Sequence, residues 1–236
     1  MSVIPPVIFF VMSMVIFCFL QLPSGLFAIF YHFRLGKTSK KQADDAALSF
    51  ILGVEIFTTV IWLLTYTIIF CINFEDISPI FLWIMSGICL AESIAMLLFY
   101  FRRGKSTTAL FIYRRSARSL VTHAKNVKSR SDAVTLGFIS CLPELIFTLP
   151  LYIVCTTFLQ SESVLPRALV IIISIIVTIL PLFIIRFFLH SGHNLAELQR
   201  LRVKLKPHFR IILFLAYLAA TLALINLAII KSEGIL

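Results

Sequence analysis

Three acidic residues stand inside long apolar runs of this sequence: Glu55, Glu92 and Glu144. An ionised side chain at the centre of a membrane helix costs roughly 2.5–3.5 kcal/mol on insertion scales. Those three runs hold no Lys or Arg, and Arg186, set inside a later run, is the intramembrane cation offered against them. Three arrangements resolve the imbalance. The carboxyls carry a proton, they face a polar cavity, or they bind a cation, an amine ligand or a lipid headgroup. A plainer arrangement is also open, in which they hydrogen-bond across helices to neighbours such as Ser93, Thr58 and Thr148. Asn226 is the other polar group expected to be buried, as interhelical glue or as a further candidate for a ligand or ion cavity.

Other residue types carry less. His190 and His193 share a helix face, but Glu197 is the only acid nearby, too few ligands for a metal. There is no G-x-S-x-G, no H-E-x-x-H and no Walker A pattern. No catalytic residue, metal site or cofactor is therefore expected. The five cysteines are scattered without a C-x-x-C pair. Cys71 and Cys155 both fall near the outer ends of apolar runs, so a disulfide between them and two unrelated thiols are both open.

The elements that hold these residues follow from composition. Of 236 residues, 60% are hydrophobic and only 14% charged, with a mean hydropathy of +1.01. A soluble domain has about a quarter of its residues charged, and a water-facing fold cannot hide this much apolar surface. The expected fold class is all-α: a polytopic integral membrane helix bundle in a single domain. About 20 apolar residues in a helix cross the hydrocarbon. Six stretches meet that length, approximately 4–31, 46–72, 79–101, 133–158, 165–189 and 210–230. The first lacks a basic flank, and its apolar run from Val3 to Tyr31 exceeds a signal-peptide core of roughly 7–15 residues, so it reads as a span that stays.

Charge orients the spans. The linkers 32–45, 102–132 and 190–209 are basic, and Arg186 sits just inside the span end before the last of them. Every Lys and Arg except Arg167 and Lys231 falls on that side. The positive-inside rule makes it cytoplasmic and puts both termini outside, with the plasma membrane the expected location. The net charge of +10 is thereby accounted for by topology and anionic inner-leaflet lipid, so nucleic acid is not an expected partner. From Ala109 to Ala124, apolar residues recur at helical spacing while Arg114, Arg115, Arg118 and Lys125 fall largely elsewhere. Such a basic amphipathic segment suits an anionic leaflet or a cytosolic partner, or serves topology alone. Pro23, Pro143, Pro150 and Pro181 mark candidate kinks.

Two resemblances bear on function. Phe99-Tyr100-Phe101 is followed by Leu110-Phe111-Ile112-Tyr113-Arg114-Arg115, and Leu189-His190 leads to Gln199. This run resembles chemosensory receptors of the bitter-taste kind, within the seven-helix G-protein-coupled class. The chain has no Asp-Arg-Tyr box after the third span and no seventh span with Asn-Pro-x-x-Tyr, so the likeness is to a divergent or truncated member. It implies a chemoreceptor-like signalling protein, with Glu92 as counter-charge to a ligand. Arg114, Arg115 and Arg118 would then couple to a heterotrimeric G protein.

Leu22-Pro23-Ser24 with Tyr31-His32-Phe33-Arg34, and Pro143-Glu144-Leu145-Ile146-Phe147-Thr148-Leu149, are similar to stretches of XK-related lipid scramblases. Glu144 stands where that family has glutamine. This second likeness implies a lipid or ion conduit, with Glu55, Glu92 and Glu144 lining the path. A non-transporting membrane scaffold is the third reading.

Overall fold

A computed structural model describes residues 22–72, 77–100, 114–160 and 163–233. Every regular element among them is helical. In chain order they are α1 (Leu22–Lys37), α2 (Lys40–Cys71), α3 (Pro79–Ala95), α4 (Arg114–Asn126), α5 (Arg130–Cys141), α6 (Leu145–Leu159), α7 (Val164–His190) and α8 (Leu195–Ser232). A π-helical turn, Met96–Tyr100, continues α3. A 3-10 turn, Leu142–Glu144, joins α5 to α6, so Arg130–Leu159 behaves as one interrupted span. Pro143 lies in that turn and has no N–H to continue the α-helical ladder. Pro150 and Pro181, by contrast, sit within α6 and α7.

Five segments are long and apolar enough to cross a membrane: Lys40–Cys71, Pro79–Leu98, Arg130–Leu159, Val164–His190 and Ile211–Ser232. Together they form a helical bundle. Of the expected first span, 4–31, only the part within α1 lies among the described residues.

The basic linkers are shorter than their charge implied. The stretch 32–45 is helical except around Thr38–Ser39, because α1 runs on to Lys37 and the Ser39 side chain caps α2 by accepting from the Gln42 N–H. The stretch 190–209 is helical from Leu195 onward. Asn194 and Glu197 form a reciprocal capping box that starts α8 there, after a left-handed Gly192 at φ 88°. Ser129 and Asp132 do the same for α5. Ser78 caps α3, and Pro79 follows at its first position, where the missing N–H costs nothing.

Two helix pairs organise the bundle. The first is α2 against α5, which meet at glycines. A Cβ on Gly53 would lie 2.0 Å from the Val134 carbonyl oxygen, and one on Gly137 would lie 2.2 Å from that of Phe50. The backbones touch directly, as small residues allow in membrane helices. The second pair is α3 against α8, where Leu82, Met85, Cys89, Leu224 and Ala228 are buried together. Between the pairs, the larger core gathers Phe27, Phe30, Tyr31 and Phe50 from α1 and α2, with Trp62 edge-on to Tyr152 at 5.0 Å.

Candidate functional site

Glu55 lines a groove at the basic end of the bundle. The groove holds about 420 Å³, and its polar wall is Asp45, Ser49, Glu55 and Arg130. Leu48, Leu52 and Phe183 border it and are exposed on the outer face of the bundle. Helical spacing explains the alignment: Asp45, Leu48, Leu52 and Glu55 recur every three or four residues along α2. Arg130, at the first turn of α5, forms an ion pair with Asp45. That pair lies at the rim, with the Arg130 side chain 74% exposed, so it adds little to stability. Glu55 is half-buried and has no hydrogen bond or ion pair among the described residues.

Glu144 occupies a different place. It is 3% exposed and faces a small internal cavity with Thr58, Thr148, Tyr152, Thr178 and Pro23. The cavity holds about 20 Å³, room for one water. Thr58 donates to the Val54 carbonyl, Thr148 to the Glu144 carbonyl and Thr178 to the Ser174 carbonyl. With those protons committed to the helix ladder, the hydroxyl oxygens present acceptors to the cavity.

Glu92 is buried in the seam between α3 and α8, with no described cavity opening on it. One of its oxygens, Oε2, has no hydrogen-bond partner. Tyr217 stands beside the carboxyl and donates its hydroxyl proton to the Phe147 carbonyl. Ser93 donates to the Phe214 carbonyl at 3.1 Å.

These placements correct two expectations. Among the described residues no cavity takes in all three glutamates: α2 carries Glu55 into the groove, the 3-10 turn holds Glu144 inside, and α3 turns Glu92 toward α8. Ser93, Thr58 and Thr148 give their protons to backbone carbonyls rather than to the carboxylates.

Asn226 is a third correction. It is exposed on the outer face of α8 rather than buried, because Leu224, Leu227 and Ala228 take the side facing the bundle. Of the two states left open for Cys71 and Cys155, the structure shows free thiols, Cys71 exposed and Cys155 buried in the core at 3%. Thiol-specific labelling of the folded protein is therefore expected to modify Cys71 rapidly and to reach Cys155 only after unfolding. A mass shift on reduction alone would contradict it.

The basic segment is helical over α4, and its inner side is already covered. Ala124 and Val127 are buried, and Leu120 and Val121 pack against the main core. Lys125 Nζ stands 4.9 Å over the Phe33 ring, and Arg34 donates to the Lys128 carbonyl at 3.3 Å. Those apolar positions are thus satisfied by protein rather than left for a leaflet. Arg114, Arg115 and Arg118 lie on the same helix, but their side chains are outside the described residues.

One constellation escaped the sequence reading. Asp44 accepts from the Tyr31 hydroxyl at 2.6 Å and from Arg186 Nε at 3.0 Å, with His190 Nδ1 at 3.6 Å from its other oxygen. This node ties α1, α2 and α7 together at the basic end. His193, by contrast, pairs with Glu197 at 3.2 Å, so the two histidines serve different partners. The available signal was an acid just before one span and a lone base just inside another. At the start of α1, Arg202 of α8 donates to the buried Ser24 at 3.1 Å, and Gly25 makes room for its guanidinium.

No family model matches the chain, and no curated protein or solved structure matches it either.

Proposed function

We propose that this chain is a membrane-embedded conduit for amphiphiles, and that the groove between α2, α5 and α7 admits their polar headgroup. The observation that carries the reading is the groove wall, where Glu55, Asp45, Ser49 and Arg130 are set among exposed leucines and Phe183. A phospholipid matches both halves of that surface. Its phosphate suits a guanidinium, an ammonium beyond it suits the unpaired Glu55 carboxylate, and its acyl chains stay beside Leu48 and Leu52. In this reading the basic end faces the cytoplasm, and anionic lipid lies against it.

Reconstitution into vesicles with a fluorescent phospholipid and a membrane-impermeant quencher tests this. The wild-type chain is expected to expose inner-leaflet lipid faster than protein-free vesicles. Glu55→Gln should slow the exchange by roughly tenfold, the worth of one charge-assisted contact, while Glu92→Gln, away from the groove, should not. Equal rates in wild-type and protein-free vesicles would end the conduit reading.

A chemoreceptor-like signalling protein is the second reading, and the arginine-bearing α4 is the observation in its favour. There Glu92 would be the ligand's counter-charge, and Arg114, Arg115 and Arg118 the contacts of a G protein. Joint replacement of those three arginines by alanine would then abolish nucleotide exchange on the G protein and leave lipid exchange untouched.

A further inference from the structure

Asn226 is exposed on α8 at a place where hydrocarbon would otherwise lie. It falls within the apolar segment Ile211–Ser232, about 9 Å along the helix from Ser232. Its amide carries two N–H donors and a carbonyl acceptor. Thr221 and Ser232, on the same helix, donate to carbonyls one turn back, whereas Asn226 makes no hydrogen bond among the described residues. Lipid tails offer nothing to replace the lost water, so an unpaired amide there is costly.

The neighbours of Asn226 on that face follow a regular step. Leu215, Ala219, Leu222, Asn226 and Ile229 are separated by four, three, four and three residues, and all are exposed. The opposite side, Leu213, Tyr217, Thr221, Leu224 and Ala228, is buried in the bundle. The outer stripe thus has the 3.5-residue period of a left-handed helix pair, with Leu215, Leu222 and Ile229 at d positions and Ala219 and Asn226 at a positions. A single Asn at an a position selects a parallel two-stranded pairing in register, since its best partner is another Asn at the same height.

We infer that α8 is the contact helix of a homodimer, in which Asn226 pairs with the same residue of a second copy across a two-fold axis normal to the membrane. A second copy fits without further assumption. Two copies inserted with the same topology run parallel, and the two-fold axis sets the amides at equal depth. The inference does not depend on the conduit reading.

Oxidative cross-linking of the full chain in native membranes tests it. Leu222→Cys, Asn226→Cys and Ile229→Cys should each give covalent dimer well above the wild-type background, while Ile225→Cys and Ile230→Cys, turned off the stripe, should give little. Asn226→Leu should raise the dimer dissociation constant about fivefold to thirtyfold, with thermal unfolding of the monomer unchanged because the site lies off the core. Dimer yields at background, or equal at all five positions, would overturn the proposal. So would loss of the thiol at 226 without dimer, since that result means the face is covered from within the same chain. An unchanged dissociation constant in Asn226→Leu would also overturn it.

Discussion

Alanine at Gly53 or at Gly137 is expected to destabilise the protein more than any other added methyl group. A Cβ at Gly53 would lie 2.0 Å from the Val134 carbonyl oxygen and 2.9 Å from its carbon. At Gly137 the corresponding distances to Phe50 are 2.2 and 3.1 Å. Both obstacles are helix backbone, which cannot swing aside as the tip of a side chain can. The two helices must separate, and the buried contacts around Phe57 and Phe138, whose rings meet edge-on at 5.2 Å, open with them. Overpacking of a fitted core costs about 1–3 kcal/mol, and here the strain is shared along a whole helix pair, so the upper end of that range is expected. Thermal unfolding in detergent, followed by loss of monodisperse protein, measures it. Alanine at Gly36 or Gly87, where nothing lies within 4 Å of the new Cβ, is the matched control and should leave the midpoint unchanged. Equal stability of Gly53→Ala and Gly36→Ala would mean that α2 and α5 do not cross as described.

The second large effect belongs to Asp44. Alanine there removes the acceptor of both the Tyr31 hydroxyl and Arg186 Nε, and leaves a guanidinium only 27% exposed without its counter-ion. Breaking a fully buried pair costs about 3–5 kcal/mol. This node keeps some contact with solvent, so about 1–3 kcal/mol is expected. Arg186→Met together with Asp44→Ala should recover part of the loss, because the second change removes the stranded charge. A double variant no more stable than Asp44→Ala would show that the pair is not coupled. Because the node joins α1, α2 and α7, its loss is expected to speed proteolysis near Thr38–Ser39 before the rest of the bundle opens.

The groove and the node explain why the glutamates were visible in the sequence while their roles were not. A carboxylate in an apolar run stands out by composition alone, so Glu55, Glu92 and Glu144 could be picked without a structure. Which cavity each one faces depends on the rotation of its helix about its own axis. That rotation is set by contacts between residues far apart in the chain, such as Gly53 with Val134. Asp44 and Arg186 are 142 positions apart; Arg186 stood out as a lone base inside a span, but nothing local to it named Asp44 as its partner. The error at Asn226 has the same origin. Its type and depth were plain, but burial depends on which face of α8 turns toward α3.

The helical membrane class, the approximate places of the described spans and the irregular point at Pro143 were all legible along the chain. Those properties follow from local quantities: apolar run length, charge between runs, and a proline that lacks an N–H. The chain's own capping pairs, Asn194 with Glu197 and Ser129 with Asp132, were also local, and they start helices inside stretches whose charge alone read as loop. Packing between distant segments set the separate places of the glutamates, the gathering of three helices at Asp44, the rest of α4 on α1 and the outward turn of Asn226. Lipid rewards every apolar face alike, so hydropathy carries no information about which face meets a neighbouring helix; close fit and polar pairing between distant residues make that choice.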